Sequence, residues 1–510
     1  MKPATSRRDF LAAASAALAP RAAAQNRKAA PAGERHGPVE LPMPKTILRP
    51  PNNYPALRTS WAPKNVVVIL LDSFRADYLG ALGNSKAKTP NLDRFAADST
   101  LFTRSYPEGL PTIPVRTSLM TGKFTYPFRG WQVLYPEDGP LLPELLWSEG
   151  FTSCLVSDTY HMHKPSYGFG RGFDEVHWIR GQEGDPLVRD PRVKVDVEPY
   201  FKPRTGQPGE DAQLRQYLKN RHDWKTEDDH CAARVFARAS DWLRRQKRRE
   251  NLFLWVDSFS PHEPWDPPDR YLKMYAPDYR GKRIVLPVPG DVDGYLDAEE
   301  RRNLLALYAG SITFVDACVG RLIEELKRLG LYDQSLILIL TDHGAPFGDH
   351  GIVRKARPWP YEELARTFLM IRHPGGKGIK RVSAYTQQTD ITATILEYAG
   401  VKPPAEMTSE SLLPLILGQK EKIRDSAVCC HHTGGWSIRH DDWSYHYYLP
   451  GPARIAKNSK LTRGEPELYN LRDDPGETKN LARAEPDRAR SMDQMLFDFT
   501  RRLKERAKTA

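Results

Sequence analysis

Cysteine is scarce in this chain: there are five among 510 residues, an odd number without zinc-finger spacing. A disulfide framework and a zinc ribbon are therefore excluded as organising devices. Cys154 and Cys318 fall in apolar patterns that suit buried thiols, and the adjacent Cys429 and Cys430, ahead of His431 and His432, read as structural before they read as metal ligands. Long apolar runs are missing as well. Beyond the N-terminal leader no segment reaches about 18 apolar residues, so no stable membrane anchor is expected in the mature chain. Internal repeats are absent, and so are basic helices interleaved with aromatics. The net charge of +11 thus points to a small anionic substrate and to no nucleic acid as partner.

What is present begins at the N-terminus. Ser-Arg-Arg-Asp-Phe-Leu at Ser6 to Leu11, a short run of small apolar residues and Ala22-Ala23-Ala24 match a twin-arginine export signal with an A-x-A cleavage site. The expected organisation is a signal peptide over 1–24, a Pro- and Ala-rich linker over 25–60, a catalytic domain over 61–403 and a C-terminal α+β subdomain over 404–510. Export by the twin-arginine route places the mature protein in the periplasm or outside the cell. Hydrophobic content of 40% with 27% charged residues suits a globular chain with a sizeable core.

Four apolar, β-branched runs end in ionisable residues. Asn65 to Leu71 leads to Asp72, Thr152 to Val156 to Ser157-Asp158, Leu252 to Val256 to Asp257 and on to His262, and Leu336 to Leu340 to Thr341-Asp342-His343. Amphipathic helical patterns lie between them, which predicts an α/β fold with a large, mostly parallel sheet flanked by helices. In such sheets ligands bind outside the carboxyl ends of the strands, so the four runs predict one cleft. Between the first two runs stands Pro107 to Lys123, read as a loop feeding a short helix. Thr112 is placed at the cap, Pro114 in the first turn and Gly122 at the stop. That helix start offers free amides to an anion, with Arg116 projecting from the same turn. Asp72, Asp342 and His343 pair hard oxygen donors with one nitrogen, a set that suits one divalent ion such as Mn²⁺, Zn²⁺ or Ca²⁺.

These motifs, in order, resemble the sulfatase branch of the alkaline phosphatase superfamily: V-V-V-I-L-L-D-S-F-R-A-D-Y-L-G, T-P-N-L-D-R-F-A, P-T-I-P-V-R-T-S-L-M-T-G-K, F-S-P-H-E-P-W, T-D-H-G-A-P-F-G-D-H-G and the terminal E-L-Y-N-L-R-D-D-P-G-E-T-K-N-L. The resemblance implies an alkaline-phosphatase/sulfatase-like sandwich. It makes Asp72, Asp342 and His343 metal ligands, Thr112 the nucleophile, Arg116 its stabilising partner, and His262 and Lys355 substrate-facing groups. Ser73 sits where a further ligand is often found. Asp158, His161 and Trp265 are candidates for substrate contact, Trp131 and Tyr160 could line a sugar or aryl site, and Asp257 with His262 would serve a second, less expected metal. Arg75 and Asp77 are assigned structural roles.

Two departures from the family pattern carry chemistry. Where a Cys or Ser is oxidised to formylglycine, this chain has Thr112 in T-I-P-V-R, and where a G-K-x-H string is usual it has Val156 to His163, with Asp158 in place of the lysine. Oxidising a secondary alcohol gives a ketone, so no formylglycine is expected. A formylglycine hydrate expels sulfate by breaking its own C–O bond. A plain alkoxide lacks that second hydroxyl, whereas a phosphothreonine is cleared by water attacking phosphorus. The expectation is a metal-dependent hydrolase of phosphate mono- or diesters, or of sulfate esters, using Thr112. The alternatives are a true sulfatase of a threonine-bearing subgroup and a silent anion-binding relative.

Overall fold

The structure, a computed structural model, describes residues 64–355, 359–374, 380–449 and 465–509. The leader expected at 1–24 and the linker at 25–60 lie outside the described residues. In chain order the strands are β1 (Asn65–Leu71), β2 (Thr100–Tyr106), β3 (Gly109–Leu110), β4 (Thr152–Ser157), β5 (Glu175–Trp178), β6 (Leu252–Ser258), β7 (Gly290–Asp291) and β8 (Ser335–Thr341). They continue with β9 (Ile352–Val353), β10 (Thr367–Arg372), β11 (Lys380–Val382), β12 (Thr386–Gln387), β13 (Ser426–His431), β14 (Gly435–His440), β15 (Trp443–Tyr448) and β16 (Glu467–Asn470). The main sheet runs β11-β2-β10-β8-β1-β6-β4-β5, with β12 also on β2. From β8 to β5 every pairing is parallel, while β10 runs antiparallel between β2 and β8.

β1 is buried along its whole length, which is why it reads as a continuous apolar run rather than an alternating one. Its residues point alternately into two cores. Val67, Ile69 and Leu71 join a cluster fed by the helices Pro90–Ala97, Cys231–Arg245 and Ala298–Arg328. Val66, Val68 and Leu70 join another, fed by Thr112–Thr121, Leu142–Ser148 and Asp390–Ala399. The 31-residue helix Ala298–Arg328 is apolar enough over part of its length to cross a bilayer, but 89% of that window is buried inside the protein, so its apolar length serves the core.

The second sheet, β16-β15-β14-β13-β3, is covered by the helix Pro486–Thr509, whose Met492, Leu496 and Leu503 pack on Trp436, Ile438 and Tyr445. Its edge strand β3 comes from the first half of the chain and pairs in parallel with β13 through Cys430↔Gly109 and His431↔Leu110. This pairing delivers His431 and His432 beside the start of the Thr112 helix. Cys429 and Cys430 are both buried in β13, and burial pushes their thiols up, as expected for structural cysteines. The helix expected from Gln387 begins at Asp390, because Thr386 and Gln387 are drawn onto β2 as β12.

Candidate active site

Sheet register sets the site. Leu71 is level with Thr341 of β8 and Ser258 of β6, and Ser157 of β4 is level with Asp257, so the residues that follow or close these strands meet at one sheet end. Asp72, Asp342 and His343, all fully buried, bring one ligand atom each within 4.8 Å of one another. Ser73 closes the group. Its N–H donates to Asp342 Oδ1 at 2.9 Å and its hydroxyl to Asp72 Oδ1 at 2.8 Å. It does so in the left-handed region, at φ 60°, with its carbonyl held by Tyr308 O–H at 2.7 Å. Gly344 follows His343 because a Cβ there would meet the Glu363 carbonyl at 2.0 Å.

Thr112 is the first residue of its helix and not its cap. The cap position is Pro111, and the Thr112 hydroxyl makes no capping bond. It lies instead 3.4 Å from His343 Nε2. His343 Nδ1 faces the Gly344 carbonyl at 2.8 Å, and a carbonyl only accepts, so Nδ1 carries the proton and Nε2 turns its lone pair toward Thr112. Burial pushes His343 down to about 4.

Arg116 is engaged by carboxylates of the protein. It is fully buried and committed to protein groups: Nε and Nη2 clamp Asp257 at 2.9 and 2.7 Å, Nη1 donates to Asp342 Oδ2 at 2.8 Å, and Nη2 lies 3.0 Å from Asp72 Oδ2. It is a positioning hub for three carboxylates. The same clamp, with Thr159 O–H on Asp257 Oδ1 at 2.6 Å, removes Asp257 from any second metal site with His262.

His262 departs from its expected role as proton donor. Its Nδ1–H donates to the Glu263 carbonyl at 2.7 Å, so Nε2, 2.9 Å from Lys355 Nζ, is an acceptor of the ammonium proton. Burial pushes His262 down to about 3, which favours the neutral ring with its proton on Nδ1, turned away from the cleft side at Nε2. Lys355 also reaches Ser73 Oγ at 3.4 Å, which places an ammonium beside the Asp72–Asp342–His343 cluster.

The remaining candidates separate. Trp265 is fully buried against Tyr308 and Phe347 with Nε1 on the Pro261 carbonyl, so it is core and lines no substrate site. Asp158 is also fully buried, accepting from Phe259 N–H at 2.6 Å and Gln182 Nε2 at 3.3 Å, and it does not face the cleft. His161 is half-buried and pairs with Glu183 at 3.2 Å. Arg75 is structural, bound to Asp77 and to Asp349. Reading the residues one by one missed Thr159, His431 and His432. The first carries only a hydroxyl after a strand, and the histidines arrive through the β3–β13 pairing, which no local pattern signals.

The donor set fits a divalent cation. Three buried carboxylates, Asp72, Asp257 and Asp342, converge on the single guanidinium of Arg116. Asp72 Oδ2 has Arg116 Nη2 at 3.0 Å as an ion-pair neighbour but makes no well-aligned hydrogen bond. Burial and the charge of Asp342 push the Asp72 carboxyl well up, whereas His343 and Arg116, working against burial, hold Asp342 down. A cation held by Asp72, Asp342 and His343 would favour the ionised form of Asp72 and give its Oδ2 a further partner.

A large, mostly parallel sheet whose strand ends carry a carboxylate–imidazole cluster and a hydroxyl on a helix N-terminus defines an ester hydrolase of alkaline-phosphatase/sulfatase architecture. Solved structures share that fold. A phosphonate monoester hydrolase of Agrobacterium radiobacter superposes with a TM-score of 0.64 at 21% identity, over 88% of this chain and 96% of that one. A protein solved with its substrate D-glucosamine-2-N,6-O-disulfate gives 0.65 at 19% identity, over 87% and 99%. The chain belongs to the sulfatase family, whose model matches residues 64–401, and residues 348–508 match the model described as N-sulphoglucosamine sulphohydrolase, C-terminal. An arylsulfatase of Clostridium perfringens is 27% identical over 82% of this chain and 90% of its own length. A multifunctional alkaline phosphatase superfamily protein of Trinickia caryophylli is 27% identical over 69% of this chain and 77% of its own length.

Proposed function

We propose that the protein is an exported, metal-dependent hydrolase that uses Thr112 as nucleophile and prefers phosphate esters, mono- or diesters, over sulfate esters. The observation that carries this reading is an unmodified threonine hydroxyl, free of any capping bond, at 3.4 Å from His343 in the Asp72–Asp342–His343 cluster. A divalent ion held by these three residues supplies Lewis acidity to the reacting oxygens. The chain does the rest. The N–H groups of Thr112 and Ile113, which the first turn leaves without helical acceptors, face the anion with the positive end of the helix. Lys355 neutralises the ester and offers a proton from Nζ to the departing oxygen, with His262 Nε2 fixing its direction. Water then attacks phosphorus in the Thr112 adduct and frees the Thr112 oxygen as its hydroxyl, a step expected to be slower at sulfur in a sulfothreonine.

The twin-arginine pattern at Ser6 to Leu11 supports export, and the arylsulfatase and the phosphonate monoester hydrolase named above support ester hydrolysis. Sulfate-ester hydrolysis is the second reading, favoured by the C-terminal family match over 348–508. Quenching turnover and weighing the peptide that carries Thr112 tests the first reading against the second. From a phosphodiester, the expected adduct joins Thr112 through phosphorus to the retained ester group, and it forms and clears.

A further inference from the structure

One carboxylate ties the two ends of the nucleophile helix together. Glu108 lies in the segment that enters the helix Thr112–Thr121, and Thr125 and Tyr126 lie just beyond its exit. Glu108 Oε1 accepts from the Thr125 N–H and the Thr125 O–H, both at 2.9 Å, and Oε2 accepts from the Tyr126 N–H at 3.0 Å. The Glu108 carbonyl takes the Cys430 N–H at 2.9 Å, so β13 holds the backbone while the side chain crosses to the exit segment. Gly109 follows because a Cβ there would meet Thr125 Oγ1 at 2.2 Å. The close approach of the two segments therefore continues toward Thr112 itself.

This bridge needs an acceptor with two oxygens and no N–H. A carboxylate meets that need, whereas an amide would turn an N–H against one of the donors. Glu108 is fully buried, and among the described residues no cation pairs with it. The titratable groups packed around it are Cys429 and Cys430 on β13 and Tyr126 on the exit segment, all three kept protonated by burial, while Ser118 on the helix adds a neutral hydroxyl. Burial pushes Glu108 up to about 7, against the pull of its donors. A carboxyl raised in this way stabilises the fold while neutral, below its unfolded value near 4.5, and that stability is lost as pH rises through 7. Ionisation thus costs stability and completes the bridge.

We propose that Glu108 is a positioning residue for Thr112: its ionised carboxylate locks the entry of the nucleophile helix to the exit, and turnover follows the ionisation of that carboxyl. This rests on the reading that Thr112 attacks the ester. The Thr112 hydroxyl sits 3.4 Å from His343 Nε2 on the first residue of the helix, so a loosened entry segment displaces the attacking oxygen first. A protonated Glu108 turns one acceptor into a donor that faces an N–H, and the tie between the two segments weakens.

Two measurements between pH 5 and pH 8 test it. Rapid quenching of Mn²⁺-supplied protein with bis(p-nitrophenyl) phosphate reads the rate at which the Thr112 adduct forms, and scanning calorimetry in chelator reads Tm. In Glu108→Gln the amide keeps one oxygen for Thr125 but turns an N–H against the Tyr126 N–H, which mimics the protonated state. The ratio of variant to wild-type adduct rate should fall by about 10–100-fold from pH 5 to pH 8, because only the wild type gains the carboxylate. Over the same span the variant's Tm should rise relative to the wild type, because only the wild type loses the stability of a neutral carboxyl. A merely structural Glu108 would make rate and stability move together. Thr125→Val keeps the carboxyl and removes one donor, so it should move the wild-type rise in rate to higher pH by about one pH unit, and it decides the matter should Glu108→Gln fail to fold. A rate ratio constant with pH, a rate and Tm that change in the same direction, or an unmoved rise in Thr125→Val overturns the role of Glu108 alone. If the wild type forms no adduct on Thr112 at any pH, the nucleophile reading falls and this proposal falls with it.

Discussion

Replacing Arg116 with methionine probes the charge arrangement beneath the site. The guanidinium makes two bonds to Asp257 and one to Asp342, and it lies 3.0 Å from Asp72, all in full burial. Removing it leaves Asp257 with Thr159 O–H at 2.6 Å and a long contact from Trp255 Nε1 at 3.5 Å, and strands a buried carboxylate. Breaking a buried pair in this way costs about 3–5 kcal/mol. At about 2 °C per kcal/mol for a large domain, Tm should fall by about 5–10 °C in metal-free protein. Arg116→Met with Asp257→Asn should recover more than half of that loss, because the second change removes the stranded charge. Scanning calorimetry of the wild type, both single variants and the double variant, all in chelator, gives the comparison. If the double variant falls by the total of the two single losses, Arg116 and Asp257 are not coupled and the hub is refuted.

Two further outcomes follow from the geometry. Burial raises the Asp158 carboxyl to about 7, so its contribution to stability is present below the unfolded value near 3.8 and is lost as pH rises through 7. Asp158→Asn should therefore gain on the wild type between pH 4 and pH 8, by up to about 4 kcal/mol, and a constant Tm difference across that range would contradict it. Lys355→Met should lower kcat by about 10²–10⁴, more for alkyl than for nitrophenyl leaving groups, and an equal loss for both would remove the proton-donor role.

Much of the architecture is legible from local pattern. Asn65–Leu71 announces itself as a doubly buried strand because every position after Asn65 is apolar, and Asp297 with Glu300 caps the long helix in a recognisable box. The edge elements are not legible. Gly109–Leu110 is two residues long and becomes a strand only because β13, more than 300 residues later, pairs with it. The site divides in the same way. Asp72, Asp342 and His343 follow directly from strand ends, but the roles of Arg116, His262 and Trp265 depend on partners distant in sequence. An arginine on a helix start signals an anion site until three carboxylates are seen to surround it. A tryptophan in a Pro-rich loop signals a cleft wall until Tyr308 and Phe347 are seen to enclose it.

The central claim is that Thr112 takes a phosphoryl group and gives it up to water. Rapid quenching of metal-supplied enzyme with an aryl phosphodiester and, separately, with the matching aryl sulfate, followed by mass analysis of the 107–123 peptide, reads this directly. The account predicts an adduct on Thr112 that carries phosphorus with the retained ester group and that appears and clears within turnover, and a sulfuryl adduct that, once formed, persists and stalls the enzyme. An unmodified peptide during active turnover, or a sulfuryl adduct that clears as fast as the phosphoryl one, would contradict it.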